Sequence, residues 1–337
     1  MTHSVPVPLR AGYDVLLLDL DGTVYQGPDV IPGAREALDA GGERQLYVTN
    51  NASRSPADVA AHLRDLGFQA ADTDVVTSSQ AAARLLSERL APGSPVLVVG
   101  TEALAAEVEN VGLRAVRRFQ DNPVAVVQGH SPATDWAILA EATLAIRAGA
   151  SWIAANVDTT LPTERGLVLG NGSMVAAVRT ATGREPIVAG KPASPLMEDA
   201  LRRAGTGRPL VVGDRLDTDI AGANAVGVES LLVLTGVSTT ADLLRADELH
   251  RPTYVAESLD ALNRPAADSA VTDQPGWSVE FSGGDLVIRA DSAATEGSRA
   301  SAFLSVLAAA WRHPEFVRVR AGDDAAHAAV SHLLGGM

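Results

Sequence analysis

Two patterns of apolar residues alternate through residues 13–262. Continuous apolar runs such as residues 13–19 (YDVLLLD) are typical of strands buried on both faces of a parallel sheet. Amphipathic stretches lie between them; in residues 55–66, Ser55 and Pro56 are a favourable N-cap and first-turn pair for a helix. The alternation predicts an α/β fold in which helices flank parallel sheets. Strands are predicted at 13–19, 44–49, 74–77, 95–100, 123–128, 151–155, 187–189, 209–213, 229–234 and 253–255. Helices are predicted at 33–41, 55–66, 79–90, 102–110, 134–148, 172–182, 194–204, 217–226 and 257–263.

The pattern changes towards the C-terminus. Residues 263–276 are rich in Pro, Ala and Asp and have no periodicity, which predicts a linker. Beyond it, residues 277–337 predict a small α+β module of ββαβα order, whose first two strands meet at Gly283-Gly284, a hairpin signal. The elements of this module are predicted as strands at 277–282, 285–290 and 315–320 and helices at 298–311 and 323–334.

Composition narrows the class of protein. The chain has 337 residues, of which 46% are hydrophobic and 20% charged, as expected of a globular protein with two or three domains. The absence of cysteine excludes disulfides, thiolate catalysis and zinc–thiolate sites. A formal net charge of −14 disfavours nucleic acid and anionic membranes as partners. No segment has the pattern of a signal peptide or a membrane span, so we expect a cytoplasmic protein.

The basic residues of the chain are almost all arginine. Of the 27 basic residues, 26 are arginine, and the single lysine is Lys191. A lone lysine in this background indicates a place where a compact ammonium is required and a planar guanidinium does not fit. Chance survival of one lysine codon is the alternative, and composition alone does not choose between the two.

Acidic residues follow two of the predicted strands. Asp19 and Asp21 (DLDGT) end the first strand, and Asp214 and Asp219 (GDRLDTD) follow the strand at 209–213. Ligand sites of open parallel sheets lie at the carboxyl ends of the strands. Carboxylates at this edge can hold a hard cation, or act as a nucleophile and an acid.

Two further strand ends carry residues suited to phosphate. Thr49 ends the second strand and is followed by Asn50 and Asn51; its hydroxyl and the next backbone N–H groups can bind phosphate oxygens. Lys191 lies in Ala-Gly-Lys-Pro, between the strand at 187–189 and a helix.

Taken in this order, the four segments resemble the motifs of the haloacid dehalogenase superfamily, over residues 13–262. The resemblance implies a Rossmann-like parallel-sheet core and a phosphoric monoester hydrolase that works through an aspartyl-phosphate. Asp19 would be the nucleophile, and Asp21 the general acid and then the base for water. Thr49, Asn50 and Lys191 would bind the phosphoryl group.

The same resemblance implies a magnesium site. Mg²⁺ would be held by the Asp19 carboxylate, the backbone carbonyl of Asp21 and the Asp214 carboxylate. Asp219 would either support this site from outside it or be a weaker metal partner, and Asp217 would be structural. An acid–base aspartate and a metal fit a phosphatase rather than a haloacid dehalogenase, which needs neither.

The long stretch between Thr49 and Lys191 predicts a large inserted α/β cap. We expect the core at residues 1–82 and 185–262 and the cap at 83–184. Residues 154–178, including Asn156-x-Asp158, resemble the large-cap subgroup, which contains nitrophenyl phosphatases, phosphoglycolate and glycerol-phosphate phosphatases and pyridoxal phosphate phosphatases. Pyridoxal phosphatases carry a histidine where this chain has Leu161, which disfavours that substrate. A small phosphorylated metabolite is expected, with glycerol 3-phosphate or 2-phosphoglycolate favoured.

Three cap residues are candidates for substrate specificity. Asp158 lies in the resembling segment, Arg165 can meet a second anionic group of a substrate, and His130 lies in Gly-His-Ser where the subgroup often has Gly-x-Asp. An exposed loop arginine and a capped loop histidine are the alternatives for the last two.

Other functions stay open on the sequence alone. A nucleotide or sugar phosphatase is possible on the same core; a phosphomutase usually carries a smaller helical cap. A non-catalytic sensor of a phosphometabolite is the alternative from another class, although all four motif positions are filled. Residues 277–337 resemble part of an acetyltransferase-like (GNAT) fold but lack its acyl-CoA loop, so we expect a non-catalytic module that packs on the hydrolase or mediates assembly. The oligomeric state, monomer or homo-oligomer, is left open.

Overall fold

A computed structural model of the chain describes residues 7–163, 165–291 and 299–331. These residues form strands and helices in the order that the apolar pattern predicts. The strands are β1 Val15–Leu18, β2 Tyr25–Gln26, β3 Asp29–Val30, β4 Arg44–Thr49, β5 Val75–Thr77, β6 Pro95–Val99, β7 Arg114–Val116, β8 Ala125–Gln128, β9 Ser151–Ala154, β10 Thr160–Thr163, β11 Gly166–Leu169, β12 Ile187–Val188, β13 Pro209–Gly213, β14 Ser230–Val233, β15 Tyr254–Ala256, β16 Trp277–Ser282, β17 Asp285–Ala290 and β18 Arg318–Ala321. The helices are α1 Ala34–Asp39, α2 Pro56–Asp65, α3 Ser78–Ser87, α4 Glu102–Asn110, α5 Trp136–Arg147, α6 Asn171–Thr182, α7 Ser194–Ala204, α8 Ala221–Ala225, α9 Thr240–Leu244, α10 Arg299–Arg312 and α11 Asp324–Val330.

The chain divides into two compact units. The first contains Met1–Gln26, Val30–Arg44 and Thr206–Met337, and the second contains Gly27–Asp29 and Gln45–Gly205. The predicted cap at 83–184 lies within the second unit, which extends beyond it on both sides. The domain boundaries from the sequence stay predictions.

In the first unit, β1, β13, β14 and β15 are adjacent and parallel, in the order β15-β14-β13-β1. The four residues of β1 are all buried, which explains the uninterrupted apolar run. Leu18 is in register with Val212, so the chain leaves both strands at the same edge of the sheet.

The second unit contains a five-stranded parallel sheet in the order β12-β9-β8-β6-β7. Strands β4 and β5 pair in parallel, and β10 and β11 form an antiparallel hairpin. Helix α2 begins as expected: the Asp58 N–H donates to the Ser55 hydroxyl at 3.1 Å, the Ser55 N–H donates to the Asp58 carboxylate at 3.2 Å, and Pro56 follows the cap.

The ββαβα order of the C-terminal module is confirmed for the described residues. Strands β16 and β17 pair antiparallel around Gly283 and Gly284, whose φ angles of 60° and 87° are those a tight hairpin turn requires. Strand β18 pairs parallel with β17. The buried face of α10 shares one hydrophobic cluster with the sheet and helices at 216–255, including Leu232 and Leu243. The module therefore packs on the parallel-sheet part of the first unit.

Several segments differ from the predicted elements. The predicted helix 217–226 is a π-helical turn, Leu216–Ile220, followed by the short α8, and the predicted helix 257–263 is a 3₁₀ helix, Leu259–Asn263. The predicted linker contains a 3₁₀ helix, Ala266–Asp268, and the buried Gln274, whose N–H donates to Ser305 Oγ at 2.9 Å.

Strand β7, the hairpin β10–β11 and helix α9 had no periodicity long enough to predict them. Among the described residues, no helix has the length and apolarity that a membrane span needs.

Because the module and the sheet share one cluster, a cavity in α10 should weaken the first unit as a whole. Leu307 is 0% exposed in this cluster. We expect Leu307→Ala to lower the free energy of unfolding by about 2–5 kcal/mol. The matched control is Leu249→Ala, where the leucine is 49% exposed and a change within about 0.5 kcal/mol is expected. Urea unfolding measures both variants; equal stabilities would contradict the shared core.

Candidate active site

Three carboxylates meet at the carboxyl edge of the first unit's sheet. Each of Asp19, Asp214 and Asp219 offers an oxygen, and these oxygens lie within 4.8 Å of one another. Asp19 directly follows β1, and its N–H donates to the Val212 carbonyl at 2.8 Å. Asp214 directly follows β13. The parallel register of β1 and β13 therefore brings together two acidic residues far apart in sequence.

Asp214 is buried, with 0% of its surface exposed, and backbone surrounds its carboxylate closely. A Cβ on Gly22 would lie 2.6 Å from Asp214 Oδ2, so only glycine fits there. The Val237 N–H donates to Asp214 Oδ2 at 2.7 Å, and the Ser238 N–H donates to the Asp214 carbonyl at 3.1 Å. These contacts fix the carboxylate in one orientation.

The loop 235–239, which supplies these N–H groups, is also bonded to the DLDGT turn. The Thr235 hydroxyl donates to the Gly22 carbonyl at 2.5 Å, and the Leu216 N–H donates to the Ser238 hydroxyl at 2.9 Å. Sequence reasoning missed this loop. The segment Thr-Gly-Val-Ser-Thr directly follows the predicted strand at 229–234. Because parallel strands end at the same edge of a sheet, this position could have identified the loop as part of the site.

Asp219 lies in the π-helical turn. Its Oδ2 accepts the Arg215 N–H at 3.1 Å, and the residue is 1% exposed. The exposed Asp217 instead pairs with the Arg215 guanidinium at 2.7 Å, and these hydrogen bonds lower the pKa of the Asp217 carboxyl below its ordinary value. A π turn lets Asp219 face the cluster while Asp217 faces solvent.

The donor set of this cluster fits Mg²⁺. Three carboxylates this close repel one another, and hard oxygen ligands in such an arrangement suit a small divalent cation. Asp21 is exposed and lies outside the carboxylate cluster.

Thr49, Asn50 and Lys191 come together in the second unit. Thr49 ends β4 and is buried, and its Oγ1 accepts the Asn51 N–H at 3.0 Å. Lys191 is 3% exposed, and its Nζ donates to the Val48 carbonyl at 3.0 Å. The single lysine is thus a buried ammonium beside the end of β4.

Asn50 links this group to the segment at 156–158. Its Oδ1 accepts the Lys191 N–H at 2.8 Å, and its Nδ2 donates to the Lys191 carbonyl at 3.0 Å and to both Asp158 oxygens at 3.3 Å. The Asn156 amide donates to the Asn50 carbonyl at 2.7 Å. The Asn50 side chain therefore positions the backbone of Lys191. Through its hydrogen bonds with Asn50, Asp158 belongs to the same group of residues as Thr49 and Lys191.

The other two predicted cap residues differ in their surroundings. Arg165 is exposed at the turn of the β10–β11 hairpin. His130 is half-buried after β8; burial lowers its pKa, and its buried Nδ1 has no hydrogen-bond partner among the described residues. A neutral imidazole at this position can donate to or accept from a hydroxyl group.

Family profiles match three parts of the chain. Haloacid dehalogenase-like hydrolase matches residues 16–114, HAD-hydrolase-like matches 188–262, and the GCN5-related N-acetyltransferase like domain matches 274–334. The hydrolase and acetyltransferase-like resemblances found in the sequence are both confirmed.

Individual proteins are similar over most or nearly all of the chain. A D-glycerol 3-phosphate phosphatase of Mycobacterium tuberculosis is 54% identical over 94% of this chain and 93% of its own. The crystal structure of the glycerol phosphate phosphatase from that organism in complex with magnesium has a TM-score of 0.94 at 54% identity and covers 98% of this chain and 99% of its own. A p-nitrophenyl phosphatase from Archaeoglobus fulgidus covers 74% of this chain and 98% of its own, with 32% identity and a TM-score of 0.68. The chain belongs to the haloacid dehalogenase-like hydrolase family.

Proposed function

We propose that this protein is a Mg²⁺-dependent phosphatase of a small phosphate monoester, with glycerol 3-phosphate as the favoured substrate. The observation that carries the proposal is the cluster of Asp19, Asp214 and Asp219 at the ends of adjacent parallel strands. The similarity to a glycerol 3-phosphate phosphatase over almost the full chain supports the substrate. It favours glycerol 3-phosphate over 2-phosphoglycolate.

In the proposed reaction, a carboxylate oxygen of Asp19 attacks the phosphorus, and the bond to the alkoxide oxygen breaks. Asp21 donates a proton to this leaving oxygen, then takes a proton from the water that attacks the aspartyl-phosphate. Phosphate leaves and Asp19 is regenerated. The exposed position of Asp21 supports its role, because an acid that serves a leaving group and then water must be reachable from solvent.

Asp19, Asp214 and the Asp21 carbonyl would hold Mg²⁺, with Asp219 beside them. When bound, Mg²⁺ neutralises charge on the phosphoryl oxygens and on the three carboxylates. The hydrogen bonds from Val237 and Arg215 orient Asp214 and Asp219 toward the cluster.

Thr49 and Lys191 are proposed to bind the phosphoryl oxygens. The position of Lys191 supports this role, because its buried ammonium lies beside the end of β4, where it donates to the carbonyl of Val48, the residue before Thr49. The Asn50 side chain bonds the backbone of Lys191. We therefore propose that this side chain positions the phosphate site and that Asn50 contacts phosphate through its own main chain.

The non-reacting end of the substrate would be recognised by the cap. His130 is the better candidate for a glycerol hydroxyl, since its neutral ring can form such a hydrogen bond. Arg165 would serve only a substrate with a second anionic group, such as 2-phosphoglycolate, and Asp158 acts with Asn50. We further propose that the protein works in the cytoplasm on a small phosphorylated metabolite.

Asp19→Asn should abolish turnover of glycerol 3-phosphate while the protein stays folded, because the change keeps the shape and removes the attacking charge. We expect a loss of at least about 100-fold in kcat, equivalent to about 3 kcal/mol. Phosphate release at saturating Mg²⁺, with an EDTA blank, measures it.

The matched control is Asp217→Asn, an exposed aspartate of the neighbouring motif, which should stay within about threefold of wild type. An Asp19→Asn variant that keeps more than a hundredth of the activity would reject Asp19 as nucleophile.

Lys191→Arg should reduce activity although the charge is kept. A planar guanidinium cannot occupy a buried point-charge site without displacing the phosphate or the Val48 carbonyl contact. We expect kcat/KM for glycerol 3-phosphate to fall at least about tenfold, with circular dichroism unchanged. Near wild-type kinetics would instead favour chance survival of one lysine codon.

A further inference from the structure

The C-terminal module holds helix α9 through Arg245, the residue at the end of that helix. The Arg245 guanidinium donates to the Phe316 carbonyl at 2.7 Å and to the Val317 carbonyl at 3.1 Å. Its Cζ also lies 3.9 Å from the centre of the Phe316 ring. Phe316 is 2% exposed, so the ring that receives the cation is fixed by packing.

Trp311 makes a second contact from the module to the same helix. Its Nε1 donates to the Leu243 carbonyl at 2.9 Å. The Leu243 carbonyl also accepts the Ala246 N–H at 3.2 Å, so Trp311 adds a bond from the module to the last turn of the helix. A five-residue helix such as α9 has little stability of its own. Its position therefore depends on the module and on the burial of Leu243 and Leu244 in the shared cluster.

Helix α9 directly follows the loop 235–239. Thr239 caps the helix, with the Asp242 N–H donating to the Thr239 hydroxyl at 3.3 Å. Two residues earlier, Val237 donates its N–H to the Asp214 carboxylate. A short, continuous path of bonded backbone thus connects Arg245 to a carboxylate of the cluster, and every step lies within the first unit.

We propose that the C-terminal module positions Asp214 for Mg²⁺, with Arg245 and Trp311 as the positioning residues. The inference rests on the proposed function and adds a role for a module that carries none of the four motifs. When the module holds α9, the loop keeps the Val237 N–H on Asp214. When that hold is lost, the loop can shift, and the carboxylate loses the donor that orients it. Groups that orient a metal ligand typically contribute about 10- to 100-fold to metal affinity.

The test is Mg²⁺ binding to the full-length protein by titration calorimetry, without substrate. Arg245→Ala should raise the Kd for Mg²⁺ by about tenfold or more, and Trp311→Phe, which keeps the packed ring and removes only the N–H, by a smaller factor in the same direction. At saturating Mg²⁺, the KM for glycerol 3-phosphate should stay at the wild-type value. The control is Arg312→Ala, which removes a module arginine that pairs with Asp273 at 2.6 Å and should leave the Kd unchanged.

The outcomes separate the two proposals. If the Trp311→Phe and Arg245→Ala variants both fold and bind Mg²⁺ with wild-type affinity, the positioning role is overturned. The phosphatase proposal then stays intact. If Arg245→Ala does not fold, an unchanged Kd in Trp311→Phe is sufficient to overturn it. A wild-type protein that neither binds Mg²⁺ nor releases phosphate would overturn the proposed function and this inference with it.

Discussion

The mutual repulsion of Asp19, Asp214 and Asp219 is the constraint on which the rest of the first unit depends. Two unit charges 4.8 Å apart, the upper limit of the separations between these oxygens, repel by about 3.5 kcal/mol at an effective dielectric constant of about 20. Three carboxylates at that separation persist only if the backbone that carries them is rigid and a cation or hydrogen-bond donors offset the charge. The fully buried strand β1 supplies rigidity, and its register with β13 determines which acids meet.

Backbone donors and close packing complete this arrangement. The N–H groups of Val237 and Arg215 each donate to one of the buried carboxylates, and Gly22 lets the DLDGT turn approach Asp214 without a clash. In the second unit, the Asn50 amide plays the corresponding part for Lys191 by bonding both its N–H and its carbonyl. In each unit, a neighbouring residue holds the candidate group in place through hydrogen bonds.

The strand-end acids and the lone lysine could be predicted from the sequence because long apolar runs mark the strands and side-chain chemistry marks their ends. The supporting contacts could not. Val237 acts through its backbone N–H, which any residue except proline provides, so its side chain carries no signal. Helix α9 and the β10–β11 hairpin are too short for a periodic pattern. The side-chain partners of Asn50 could not be predicted because they lie at 158 and 191, far away in sequence. The segment 263–276 lacked periodicity, yet Gln274 is buried by contacts that only the fold creates.

The central claim is that Asp19 becomes covalently phosphorylated. Its most direct test is rapid mixing of the protein with radiolabelled glycerol 3-phosphate and Mg²⁺, an acid quench within a single turnover, and mass spectrometry of the peptides. We expect a labelled peptide that contains Asp19, formed with Mg²⁺ and absent with EDTA. Phosphate release without a labelled enzyme at any quench time, or label on a peptide without Asp19, would contradict it.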